Sequence, residues 1–197
     1  MNRSALITAA CLVLAPAAHA QQPITYKAAI VALASDPQIR ADFEDGLVQK
    51  ASGHSYDVVA SHGIVADAGK LDEKGFLRAL GRSGIQAVLM LRPAAIGEGS
   101  SLESVRDEVS KELFADIQRF AKEVSTSGPN DLIAVVHMAI YILDDGAPEL
   151  ISSGAVWLDS PVENQAEGID RLQNLVLANV DAVRPAIRRR LGLPPLP

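Results

Sequence analysis

Tyr26-Lys27-Ala28-Ala29-Ile30-Val31-Ala32-Leu33-Ala34-Ser35-Asp36-Pro37 is the stretch on which the fold turns. Residues 26–34 are short and mostly apolar, and a run of that kind closed by turn residues reads as a buried strand. Asp36 has the chemistry of a helix N-cap and Pro37 that of a first helical residue: the carboxylate satisfies an orphan amide, and the proline forfeits no useful donor. Behind them Ile39, Phe43 and Leu47 recur every four residues as a core-facing stripe, and Gly53 can end the helix in a left-handed conformation. A strand passing directly into a helix is the opening unit of a parallel sheet.

The unit then repeats. Residues 55–60 form a second strand on Tyr56, Val58 and Val59; residues 71–82 form a second helix with Leu71, Phe76, Leu77 and Leu80 inward; residues 86–91 form a third strand. Such alternation implies right-handed parallel crossovers and a sheet covered on both faces. After Pro93 the grammar changes. Residues 97–100 read as a loop, and Ser100 with Glu103 makes a capping box for a long helix over 102–124. Leu102, Val105, Val109, Leu113, Ile117, Phe120 and Val124 mark its core face, while its charged residues suit solvent.

Residues 132–143 and 150–158 read as a hairpin around Asp144-Asp145-Gly146. Ser160, Pro161 and Glu163 start a last helix with Ile169, Leu172, Val176, Val180, Val183 and Ile187 inward. Pro185 is expected to kink or break that helix, and Arg188-Arg189-Arg190 suit its C-terminal dipole. Residues 193–197 read as a frayed tail. The expected fold class is α/β: a two- or three-layer sandwich of order βαβαβ-α-ββ-α, with a mixed sheet whose first half is parallel and whose end is an antiparallel hairpin.

The N-terminus carries a separate signal. Arg3, an apolar run over 5–17 and the small residues Ala18 and Ala20 before Gln21 have the form of a cleavable secretory leader. The run falls short of the about 20 apolar residues that span a bilayer. Cys11 offers a competing lipidation signal, although Thr8 stands where leucine is preferred. With the leader 1–20 removed, residues 21–197 form a single domain without cysteine, so its stability must come from its core. The full chain has a formal net charge of −6, and loss of Arg3 makes the mature part −7. That charge, with 4% aromatic residues, argues against nucleic acid and anionic lipid as partners.

Motifs of catalysis are missing. Neither His54-Ser55 nor Arg82-Ser83 sits in a nucleophile elbow, and Gly97-Glu98-Gly99 lacks the context of a dinucleotide loop. No histidines have the spacing of a helical zinc site, and His54, His62 and Asp67 alone make a poor metal set. We therefore expect no catalytic residues, no metal and no cofactor. Open α/β sheets place ligands outside the carboxyl ends of their parallel strands, which singles out Ser35, Asp36, Ser61, His62 and Arg92 as a polar crevice.

The leader, the βαβαβ order, Ser35-Asp36-Pro37, Phe43-Glu44-Asp45-Gly46-Leu47, Ala87-Val88-Leu89-Met90-Leu91 and the hairpin segments Ile140-Tyr141-Ile142-Leu143-Asp144 and Ser153-Gly154-Ala155-Val156-Trp157 together resemble a class of small exported bacterial envelope α/β domains. That class includes uncharacterised secreted proteins and lipoproteins, the lipoprotein activators of penicillin-binding proteins and the N-terminal domain of the Tol translocation protein. The resemblance is one of pattern over most of residues 21–197. It implies a non-enzymatic accessory or adaptor protein, periplasmic or secreted in a Gram-negative bacterium, that docks to an envelope protein partner. A lipoprotein anchored through Cys11 is the alternative location. A periplasmic small-ligand-binding protein is the second functional class and a hydrolase the third.

Overall fold

The computed structural model describes residues 26–34, 36–52, 57–67, 70–95, 133–144 and 147–195. The leader 1–20, Ser35, the Gly53 helix stop, His54, the expected helix 102–124 and the turn residues Asp145 and Gly146 lie outside the described residues. In chain order the elements are β1 (Lys27–Ala32), α1 (Pro37–Ala51), β2 (Asp57–Ala60), a 3-10 turn (Ser61–Gly63), α2 (Glu73–Arg82), β3 (Ala87–Ala95), β4 (Ile133–Asp144), β5 (Ala147–Trp157) and α3 (Gln165–Arg190).

The fold is α/β, and among the described residues the strands form a five-stranded mixed sheet of order β2-β1-β3-β4-β5. β1 pairs in parallel with β2 and β3, whereas β3–β4 and β4–β5 are antiparallel. The β1-to-β2 crossover steps outward and the β2-to-β3 crossover steps back past β1. A common right hand therefore requires α1 and α2 on opposite faces. The two cores confirm this. Phe43 and Leu47 of α1 join Ile169, Leu172 and Val176 of α3 on one face, while Phe76 and Leu80 of α2 pack on the other. Among the described residues the architecture is thus three layers, helix on sheet on helix. Each fully buried Phe or Leu here contributes about 1.5–3 kcal/mol relative to exposure.

Local chemistry explains most boundaries. Asp36 caps α1 as its sequence implies, its side chain accepting from the amides of Gln38 and Ile39. β3 runs past Pro93 to Ala95, beyond the expected end at residue 91. Leu33 N donates to Leu91 O, and Leu143 N donates to Gln86 O, so odd residues of β3 turn toward β1 and even ones toward β4. The missing N–H of Pro93 thus faces the side where β1 has already ended, the place a strand tolerates proline.

α3 departs from expectation twice. It begins at Gln165, not at Pro161, because Asn164 is the N-cap and accepts from Glu167 N at 3.0 Å, while Glu167 accepts from Glu163 N at 2.8 Å. Ser160 serves elsewhere, as a partner of Arg171. The helix also continues through Pro185 to Arg190, where buried Val180 and Ile187 hold it to the core on both sides of the proline. Beyond it, Leu193 packs against the core and Pro194 O accepts from Arg188 Nε at 2.8 Å, so residues 193–195 are tied down. None of the described helices is long and apolar enough to cross a membrane.

Candidate functional site

Arg40, Phe43, Glu44, Leu47 and Ala51 make the inward stripe of α1, which places an ion pair at core positions. A buried carboxylate is costly unless its lone pairs are filled. Glu44 is fully buried, and its Oε1 accepts from Ala32 N at 2.9 Å, Arg40 Nε at 3.0 Å and Ser61 Oγ at 2.8 Å. Its Oε2 accepts from His62 N at 2.7 Å. The Arg40 guanidinium finishes its fork on Ser61 Oγ, Val65 O and Ala66 O at 2.9, 2.7 and 2.9 Å. One carboxylate thereby joins the end of β1, helix α1 and the 3-10 turn after β2.

That saturation limits its chemistry. The Ser61 hydroxyl donates to Glu44 and accepts from Arg40, so it has no general base with an open position beside it. The His62 ring lies outside this network, with Nε2 2.8 Å from Asp45 Oδ1 and the side chain 35% exposed. The cluster clamps the loop to β1 and α1.

The four crevice residues that are described divide accordingly. Ser61 and His62 come together around Glu44, whereas Asp36 spends its Oδ1 on its own helix at 2.8 and 3.2 Å. Arg92 is buried on β3 opposite His137 of β4, in phase with Met90 and hence on the α2 face of the sheet. Asp67 pairs with Lys70 at 2.9 Å. Among the described residues no three histidine, cysteine or acidic side chains are grouped as a metal site would require.

Two concavities contrast with each other. A small recess of about 40 Å³ lies between Ala51 of α1, Leu177 and Val180 of α3, and the sheet, and it is lined almost wholly by apolar atoms. The second is an open groove of about 600 Å³ where β5 meets α3. Ala155, Val156 and Trp157 form one wall, and Arg171, Leu175 and Asn179, spaced four apart on α3, form the other. Trp157 at 36% and Leu175 at 40% are the large hydrophobic side chains left exposed among the described residues, and both line this groove. Exposed apolar side chains gathered in one concavity mark an interaction site far better than scattered ones do.

No protein-family model matches the chain, and no curated protein matches it. Geometry alone therefore singles out the groove. Two of its features escaped sequence reasoning for different reasons. Trp157 follows Ala155 and Val156, so both phases of the strand are apolar at its end, and Leu175 lies between Leu172 and Val176 in a helix rich in aliphatics. The Arg40–Glu44 pair was legible in principle, because both charges share the helical phase of Phe43 and Leu47.

Proposed function

We propose that this chain is an exported, non-enzymatic accessory protein that works by docking to another protein of the bacterial envelope. The observation that carries this reading is the β5–α3 groove, which is lined by both Trp157 and Leu175, the large hydrophobic residues left exposed among the described residues. Aromatic and aliphatic anchors in a pocket with a polar rim, here Asn174, Asn179 and Arg171, are the chemistry of a protein-binding hot spot. Support also comes from the Glu44 cluster, whose hydrogen-bonding capacity is spent on the fold. Export rests on the leader 1–20, with cleavage before Gln21.

A photo-crosslinking amino acid at position 175, expressed in the native envelope, tests the docking. A single stoichiometric partner captured from position 175, and not from exposed Arg82 on α2, supports the proposal. Capture of nothing from either position overturns it. Mass spectrometry of the N-terminus on the same sample distinguishes a chain starting at Gln21 from one lipidated at Cys11.

A further inference from the structure

We propose that Gln21, once the leader 1–20 is removed, closes into pyroglutamate, so that the exported chain begins with a neutral lactam in place of an amine; the inference rests on the export reading above. Cleavage after the small residues Ala18 and Ala20 leaves Gln21-Gln22-Pro23-Ile24-Thr25 ahead of Tyr26. In a first-position glutamine the α-amine nitrogen and the side-chain carbonyl carbon Cδ are the two ends of a five-atom chain. The nitrogen attacks Cδ, the new N–Cδ bond forms as the Cδ–Nε2 bond breaks, and one amine proton leaves with Nε2 as ammonia. Nothing is oxidised or reduced, and no co-reactant is consumed.

Both reacting atoms belong to one residue, so the step is unimolecular, and groups tethered in this way react at effective concentrations that no separate amine reaches. An α-amine is less basic than a lysine, and about one tenth of it is unprotonated at neutral pH, a standing supply of nucleophile. Ring closure asks nothing of the described fold. Gln21 lies outside the described residues, and the first of these, Tyr26, is buried, with its carbonyl accepting from Asp57 N at 2.9 Å. Lys27 N, next along, donates to Gln86 Oε1 at 3.3 Å. Closure turns bonds of Gln21 alone, so none of these contacts has to break.

The lactam changes both charge and lifetime. A free terminus would add a positive charge to a mature chain of formal charge −7, the −6 of the full chain less Arg3; the lactam withholds it. Chain ends are where proteolysis concentrates, and aminopeptidases work from a free α-amine, so the lactam protects residues 21–25 ahead of the buried anchor Tyr26. Lipidation at Cys11 excludes it. Residues 11–20 would then precede Gln21, whose nitrogen would be a peptide amide and no nucleophile.

The test uses the full chain, exported with its own leader in a Gram-negative host and purified. Its free amines are dimethylated in urea before digestion, so that ring closure during digestion is not counted. Trypsin then passes over the blocked Lys27 and cuts at Arg40, releasing peptide 21–40. The expected peptide is unlabelled at its N-terminus and, in most molecules, lighter than the open form by one ammonia. Gln21→Asn, one methylene shorter, would have to close a four-membered ring, and its α-amine is expected to take the label in full. A parent peptide that starts at Gln21 with a labelled amine overturns the cyclisation and leaves export standing. A chain that starts at any other residue, a lipidated Cys11 included, overturns the cyclisation and the cleavage reading together. An asparagine variant that also escapes the label assigns the block to a different modification and equally overturns the proposal.

Discussion

Replacing Glu44 by alanine is expected to destabilise the domain by about 3–5 kcal/mol, the cost of leaving one member of a buried ion pair uncompensated. The structure explains why the upper part of that range applies. Arg40 would keep Ser61 Oγ and two carbonyls but lose its only carboxylate, while the amides of Ala32 and His62 and the Ser61 hydroxyl would lose their acceptor. Glu44→Gln keeps the shape and fares better, with a loss of about 2 kcal/mol: its oxygen can serve the three donors on Oε1, but its NH₂ then faces the His62 amide, donor to donor. The double variant Arg40→Met with Glu44→Leu removes both charges yet orphans the Ala32 and His62 amides. It is expected to remain at least about 2 kcal/mol below the parent, unlike ion pairs that hydrophobic residues replace without loss. Urea unfolding followed by far-ultraviolet circular dichroism measures this. With a denaturant slope of about 2 kcal/mol per molar, Glu44→Ala lowers the midpoint by roughly 2 M. A Glu44→Ala protein within 1 kcal/mol of the parent, or a double variant more stable than the parent, would refute the clamp.

Other expectations bear on the packing of the helices. Gly46 lies where α1 crosses α3, and a Cβ there would collide with the Gln173 amide group, whose Nε2 donates to Asp42 O. Gly46→Ala should cost about 1–3 kcal/mol in thermal or urea unfolding despite its helix propensity, and Gln173→Ala in the same chain should recover most of the loss. Pro185→Ala restores an amide within α3 and should stabilise by about 1–2 kcal/mol, read as a rise in melting temperature. Asn164→Ala removes the cap of α3 and should cost about 1 kcal/mol, whereas Ser160→Ala, at the expected but unused cap, should show no capping loss. Lys50→Met, which breaks a surface pair with Asp170, should change stability by less than about 1 kcal/mol.

The alternation of elements, the Asp36–Pro37 helix start, the inward faces of α2 and α3 and the hairpin pairing were all legible along the chain. Each depends on neighbours within a few residues: a cap, a period of two or 3.6, a turn dipeptide. The start of α3 was misplaced because Ser160 and Asn164 both have capping chemistry and both precede an acidic residue by three positions. Which one caps is decided by Arg171, which engages Ser160, Asp159 and Pro161 O from a turn farther along the helix. Passage through Pro185 likewise depends on buried partners beyond the helix itself.

Sequence by itself thus determined the parallel-then-antiparallel sheet and the faces that bury its helices, because backbone geometry and apolar periodicity are local. Only tertiary structure decided that Glu44 and Arg40 meet Ser61 across a separation of 17 and 21 residues, and that Asp36 and Arg92 stand apart from them. Only it left the edge of β5 beside the stripe Arg171, Leu175 and Asn179. Which strand ends the described sheet and which leucine of α3 stays exposed are settled by how the layers stack, not by any residue's own chemistry.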